Sequence, residues 1–524
     1  MTAKFSAPSS GRELAASIGK NTLFGVAGNI VHVSARIVIV PVMIRHWGLD
    51  GYGIWGVLMS IAAYVTLGGA GVKSAFQKYV AEATGTGDYD RASRRISTGT
   101  AAVFLFSVIL LVPLAIFAKT VAVAVGVPQA FLPAATKAIT ILAFTGIVTN
   151  VTQTYHSILM GAHRIDLREK ITIALEPVTA VFTIALLSLG YSLVVICVVF
   201  CASQLAGGIL CCYFSRRVLP TVHLAPRFVS RSEGRELIRF GASYQLVSIL
   251  EALYAAVLPV AILKFYGANA AGVFALAGRL VSFATMMEGS YLQSILSGGS
   301  LVYASSSLKQ HNAFIIKSFK AMAVISILPL AFIALYGTKI VFVWTGKTDP
   351  LLEGAVCLLC AADVCKSLSS LCRVLYRVSG GAVMDNAQLL LGLGVTFLLW
   401  PFGHKIGFFG MIGGVRFLGQ FLGLILMGLS LTSRFKGFHP RALTPTFFRF
   451  CVAAAVILGA SAVGLHLRLS WGINPRVLDT IRILTAAAIS LLVAVPALLF
   501  TGSVSRSEAR MMLNTVSRKF ASPA

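Results

Sequence analysis

The chain has 524 residues, of which 57% are apolar and 12% charged, and this balance excludes a water-soluble protein of ordinary make-up. The composition is that of a polytopic membrane protein, and the net charge of +26 takes its meaning from where the charges fall along the chain. The start does not look like a cleaved signal, because the first apolar segment is too long for a signal core and no small-residue cleavage site follows it.

Fourteen apolar segments are long enough to cross a bilayer as helices. After a cytoplasmic segment, 1–20, the first half (21–214) is expected to hold spans at about 22–44, 53–72, 98–118, 134–160, 171–189 and 192–214. A basic connection, 215–239, leads to a second half (240–433) with spans at about 240–264, 270–300, 314–337, 352–376, 386–402 and 408–432. A further pair, near 446–466 and 480–501, lies within 434–503, and a basic tail, 504–524, closes the chain.

The two halves are copies. Gly11-Arg12-Glu13-Leu14 returns as Gly234-Arg235-Glu236-Leu237, and Gly48, Gly53 and Trp55 are answered by Gly267, Gly272 and Phe274 at an offset of 219. Gly161 and Asp166 match Gly380 and Asp385 at that offset, and Gln204, Gly207, Ile209 and Leu210 match Gln420, Gly423, Ile425 and Leu426 at 216. An offset that drifts only from 223 to 216 across both halves marks an internal repeat. Six helices separate equivalent points, so the repeats enter the membrane in the same sense, and such parallel repeats imply a transporter.

The basic residues follow alternate connections. About 30 of the 44 Lys and Arg fall in even-numbered connections and tails, about 10 in odd-numbered loops and about four within spans. The positive-inside rule then places both termini in the cytoplasm. A basic inner face attracts anionic membrane lipids, so nucleic acid is not an expected partner.

Charged groups inside spans are the informative exceptions, because each costs at least about 2.5 kcal/mol at the bilayer centre unless it meets a partner or water. On the first helix Gly25, Asn29, His32 and Arg36 share one face at helical spacing. Tyr244, Ser248 and Glu251 form a comparable stripe on the seventh, Arg279 and Ser282 lie together on the eighth, and Asp363, Lys366, Ser370, Arg373 and Arg377 run along the tenth. Together these faces suggest a wet cavity. A guanidinium is a permanently charged, bidentate binder of phosphate oxygens, so Arg36 and Arg279 are the expected substrate ligands, with Asn29, His32 and Ser282 beside them. By the rise of about 1.5 Å per residue both arginines fall in the outer half of the membrane. Glu251 and Asp363 are candidates for a counter-ion or a coupling-ion site; for Asp363 a local pair with Lys366, at i and i+3, is the competing reading. Glu176 and Glu288 fall near span ends and are given no role. Ser and Asn in spans otherwise serve as interhelical ties.

The nine cysteines lie almost wholly in apolar runs and read as small buried residues; Cys357 and Cys360 have zinc-like spacing without a partner pair, so no metal site is expected. Gly346-Lys347-Thr348 resembles the end of a phosphate-binding loop, but Val341 occupies the earlier glycine position and the segment falls in an outside loop, the longest one, around 338–351.

The first 120 residues carry Pro41, Gly48-Leu-Asp-Gly-Tyr-Gly53-Ile-Trp55, Tyr64, Gly69-Ala-Gly71, Tyr79-Val-Ala-Glu82-Ala and Gly87-Asp-Tyr-Asp90. In these residues the chain resembles the opening of bacterial polysaccharide flippases, a branch of the multidrug, oligosaccharidyl-lipid and polysaccharide exporter superfamily. The resemblance implies an all-α membrane protein of about fourteen transmembrane helices, with two parallel six-helix repeats as a V-shaped pair of lobes and a C-terminal helix pair. It also implies that helices 1, 2, 7 and 8 surround a cationic cavity. Lipid II flippases of the superfamily use arginines on helices 1 and 8, the helices that hold Arg36 and Arg279. Residues 87–95 also echo a loop signature of major facilitator transporters, but Ser93 stands where that signature has glycine.

The expected function is translocation of a polyprenyl-diphosphate-linked oligosaccharide across the cytoplasmic membrane for surface polysaccharide (lipopolysaccharide or exopolysaccharide) synthesis, by alternating access. No cofactor is expected beyond an H+ or Na+ gradient of unassigned identity, and polysaccharide polymerases are candidate partners. A drug/cation antiporter of the same fold would want acidic residues where the first helix offers Arg36. A membrane polymerase or ligase would need a large outside loop to carry its catalytic site.

Overall fold

The computed structural model describes residues 11–65, 70–162, 164–305, 308–378, 383–435, 444–462 and 474–501. The described residues contain helices and turns and no strand. In chain order the first half gives α1 (Gly11–Val65), α2 (Ala70–Thr86), α3 (Tyr89–Ile116), α4 (Ala118–Val125), α5 (Leu132–Gly161), α6 (Ile165–Ser188) and α7 (Leu193–Val218). The second gives α8 (Arg231–Ala284), α9 (Glu288–Ser305), α10 (Leu308–Met322), α11 (Leu328–Thr345), α12 (Pro350–Val378), α13 (Val383–Leu399), α14 (Gly403–Met411) and α15 (Gly419–Arg434). The added pair is α16 (Thr444–Ala462) and α17 (Pro475–Phe500).

Helices this apolar keep every backbone hydrogen bond internal, which is what a hydrocarbon environment demands. Ten stretches of the described residues are long and apolar enough to cross a membrane, and Phe448–Ala462 is a shorter apolar helix. Three of the ten hold two predicted spans each, joined at a glycine of positive φ: Gly48 (φ 69°) in α1, Gly267 (φ 86°) in α8 and Gly407 (φ 71°) between Asn386 and Arg434. A Cβ makes such a φ costly, so glycine permits two helices to meet there without an intervening loop. Counting each of these stretches twice and adding Phe448–Ala462 gives the fourteen helices expected.

The duplication is written in the backbone. Positive-φ glycines pair between the halves as Gly48 with Gly267, Gly126 with Gly346 and Gly190 with Gly407. Past the second elbow, α8 stops at Ala284 and α9 starts at Glu288. The eighth span therefore differs from the single segment expected at 270–300, while part of the segment expected at 53–72 lies outside the described residues. The second elbow helix stops short, and α9 continues to Ser305. The outside loop expected at 338–351 is also shorter, because α11 continues through Lys339 to Thr345, where left-handed Gly346 caps it, and Pro350 opens α12.

The chain forms two compact units, Met1–Ala275 and Leu276–Ala524. In the first, the elbows of α1 and α8 touch backbone to backbone. A Cβ on Gly53 would overlap Ala268 O and lie 2.5 Å from Gly272 N, and one on Gly272 would overlap Leu49 O. Neutral hydroxyl and amide bonds tie other first-unit helices: Asn150 Nδ2 donates to Ser107 Oγ (2.9 Å), and Thr179 Oγ1 to Ser203 Oγ (2.6 Å). In the second unit α9, α10, α12 and α15 close around Phe319, Met322, Leu371, Leu375, Met427 and Leu431. The added pair docks on this unit: Phe450, Ala453 and Leu498 pack against Ala323, and the hydroxyls of Tyr336 and Ser461 bond at 2.8 Å. Six cysteines are buried as expected, Cys212 is half-buried, and Cys357 and Cys451 are exposed because their positions fall on the outward faces of α12 and α16.

Candidate functional site

The polar face of α1 lies against α6. Glu169 fills the space beside Gly28, where any Cβ would meet its carboxylate, and one turn on His32 Nδ1 and Glu176 Oε1 are 2.8 Å apart. Arg36 follows after a further turn, half-buried. The Asn29 side chain lies outside the described residues. Glu176, expected near a span end, is instead at the middle of α6, because that helix begins at Ile165 and absorbs the charged run Asp166 to Lys170 as its first turns. An acidic residue suits the positive end of a helix, so Asp166 opens α6 without breaking it. His32 therefore enters the site already bonded to a carboxylate that spacing along α1 could not reveal.

At the repeat offset, His32 of α1 corresponds to Glu251 of α8. The Glu251 side chain is exposed in this structure, and those of Tyr244 and Ser248 lie outside the described residues. Further along α8, Arg279 is half-buried and no described residue makes an ion pair or hydrogen bond with its guanidinium. Ser282 is exposed, and its hydroxyl donates to Arg279 O at 2.7 Å, within its own helix.

The polar residues of α12 form a buried network. Asp363, 5% exposed, receives Lys366 Nζ at 3.0 Å and Arg416 Nη2 at 3.5 Å. Ser367 donates both to Asp363 O (2.8 Å) and to Glu288, which is only 6% exposed. Further along, Arg373 Nη2 donates to Ser370 Oγ at 3.0 Å, while Gln388 Nε2 donates to Ser369 Oγ at 2.9 Å. Glu288, given no role on its expected position, sits inside because the break between α8 and α9 turns the chain there and makes it the first residue of α9. Two π-helical segments, Ala323–Ile327 and Ile412–Leu418, interrupt the helices of this unit, and the second carries Arg416. Such interruptions recur at functional positions. The first half holds Phe144 and Ile147 where the second has Asp363 and Lys366, so these charges belong to one copy alone. Asp363→Asn should lower stability by about 1–3 kcal/mol, because it removes the carboxylate that Arg416 and the partly exposed Lys366 share. Thermal unfolding of purified protein checks this, with Asp363→Leu/Arg416→Leu expected to cost less than the single change.

The signature residues after the second span build a corner around Arg95. Arg95, 8% exposed, donates from Nε to Glu233 Oε2 at 2.8 Å, has Nη1 3.8 Å from Glu82 Oε2 and lies 4.6 Å over the Tyr79 ring. Gly87 takes φ 78°, and the Asp88 side chain caps α3 by accepting from Arg91 N at 3.1 Å. Tyr79, Glu82, Gly87 and Asp88 thus shape the backbone and seat an arginine; their placement is architectural.

The fold recurs in solved transporters. A structure titled as a lipid II flippase, MurJ, in an inward closed conformation aligns with a TM-score of 0.67 at 12% identity, covering 90% of this chain and 97% of that one. An inward-facing multidrug resistance MATE family transporter of the MOP superfamily aligns at 0.65 and 15% identity, covering 78% and 98%. A MOP superfamily transporter from Pyrococcus furiosus, described as having a binding pocket of reverse polarity, aligns at 0.51 and 16% identity, covering 80% and 93%. Among curated proteins, none matches the chain in sequence. The family described as polysaccharide biosynthesis protein matches residues 18–296, more than half the chain. With the signature corner inside that match, the chain belongs to the polysaccharide biosynthesis protein family.

Proposed function

We propose that this protein flips a polyprenyl-diphosphate-linked oligosaccharide from the inner to the outer leaflet of the bacterial cytoplasmic membrane, supplying surface polysaccharide polymerases. A diphosphate bearing sugars loses its hydration in hydrocarbon without replacement, so a polar path through protein removes the barrier to its crossing. The observation that carries this reading is Arg279: a half-buried guanidinium on a membrane helix with no described protein counter-ion. Elsewhere in this unit, Lys366 and Arg416 are both held by Asp363. A permanent charge kept at such cost without a resident partner suits a transient anionic one. On α1, Arg36 is a second candidate for a phosphate group, with Asn29, His32 and Ser282 as candidates for sugar hydroxyls. Glu251 is the counter-ion candidate, and alternating access driven by an H+ or Na+ gradient would complete the cycle. Family membership and a lipid II flippase among the solved structures of this fold support a lipid-linked substrate.

Deletion of the gene tests it. The expected result is accumulation of one lipid-linked oligosaccharide on the cytoplasmic face together with loss of a surface polysaccharide, measured by lipid extraction and mass spectrometry. Unchanged surface polysaccharide and lipid pools would refute the reading.

A further inference from the structure

The connection between the halves has the composition of a solvated basic loop, yet residues 219–233 are fastened along the first turns of α3. Leu219 and Val222 are buried beside Phe76, Tyr79, Val80 and Ile96. Ser93 Oγ accepts from His223 N (3.0 Å), Ser97 Oγ donates to His223 O (3.3 Å) and accepts from Ala225 N (3.3 Å), and Thr98 Oγ1 accepts from Ser230 N (2.9 Å). Glu233, in the first turn of α8, completes the attachment on Arg95. Hydroxyls spaced at positions 93, 97 and 98 thus stand in for secondary structure along an irregular strand of chain.

The two ends of this strap are held differently. Residues 219–225 are anchored by apolar burial in addition to the hydrogen bonds at His223 and Ala225, and loss of that burial would expose side chains to water. Residues 230–233 are held by polar contacts, each with a substitute waiting. Arg95 has Glu82 at 3.8 Å and the Tyr79 ring beneath it, so departure of Glu233 does not leave a buried guanidinium without a counter-charge. Glu82 is the more exposed of the two carboxylates, with 48% of its side chain accessible against 16% for Glu233, and has room to swing in. Thr98 Oγ1 also bonds Arg94 O within its own helix at 2.7 Å, so losing Ser230 costs it one partner of two. Between the ends lies the single turn Pro226–Phe228.

We propose that residues 230–233 are a latch in the transport cycle: Arg95 passes from Glu233 to Glu82, the start of α8 swings away from α3 about residues 226–229, and the 219–225 anchor stays in place. This rests on the alternating-access reading above. A two-position element with both positions satisfied is what such a cycle requires.

Two arms test it, in protein whose nine native cysteines have been replaced. First, Thr98→Cys alone, buried beneath Ser230, is titrated with a maleimide in nanodiscs. Adding Glu233→Gln should raise its labelling rate at least threefold, and adding Glu82→Gln should lower it; shifts in the same direction, or none, overturn the latch. Second, a Cβ on Gly234 would lie 3.4 Å from Thr98 Cγ2, a spacing that a Thr98→Cys/Gly234→Cys disulfide can close. In proteoliposomes with a fluorescent polyprenyl-diphosphate disaccharide, oxidation should cut transport at least tenfold and reductant should restore it. A pair that does not cross-link, or one that transports equally when cross-linked, overturns the proposal. Opposite labelling shifts in protein that never moves this probe, cross-linked or not, support the latch and overturn the substrate reading instead.

Discussion

Arg279→Ala protein is expected to reach the membrane at wild-type levels and to transport about 10- to 100-fold more slowly. The first half of that result follows from the absence of any described protein partner for the guanidinium: its removal breaks no ion pair and spares the cost of a charge within a span. The second follows from the worth of a hydrogen bond to a charged group, about 1.5–3 kcal/mol, with about 1.4 kcal/mol for each tenfold. Arg279→Lys should fall between, since an ammonium keeps the charge and loses the bidentate fork. Arg36→Ala should reduce transport in the same direction. Export in the deletion strain, normalised to protein in the membrane fraction, reads the effect. Wild-type export by both alanine variants would remove the diphosphate-binding assignment.

Gly53→Ala and Gly272→Ala are expected to be among the most damaging methyl additions at the described glycines, each costing on the order of 3 kcal/mol and most of the folded yield. At both positions the new Cβ would strike backbone, Ala268 O for one and Leu49 O for the other, and backbone held in two helices cannot step aside as a side chain can. Gly278→Ala and Gly394→Ala are the controls, because nothing lies within 4 Å of a Cβ at either. Thermal unfolding in detergent and size-exclusion profiles separate the two pairs. Equal stability across all four would mean that the elbows do not pack backbone to backbone.

These glycines show how far the sequence could be read. Their matched spacing announced a duplication, and the structure supplies the cause: Gly48 and Gly267 each turn a helix through positive φ, and Gly53 and Gly272 each let one elbow approach the other. A backbone requirement of this kind is local and falls on one residue type, so it leaves a mark in the chain. The signature residues Tyr79 and Glu82 were equally visible, but their task was not, because Arg95 and Glu233 come from 13 and 151 positions beyond Glu82.

The site divides along the same line. Helical spacing alone placed His32 and Arg36 on one face and Arg279 beside Ser282, since a period of 3.6 residues is a property of the chain itself. It could not say that Glu176 of α6 would meet His32, that Arg416 would share Asp363 with Lys366, or that Glu288 would be drawn inside at a helix break. Composition, apolar segment length, charge alternation and glycine spacing determined a duplicated helical membrane protein, because solvation by lipid acts on every residue separately. Which charges are neutralised, which connection is strapped down and which guanidinium has no partner among the described residues were decided only by tertiary packing, because pairing energies depend on distances between residues far apart in the chain.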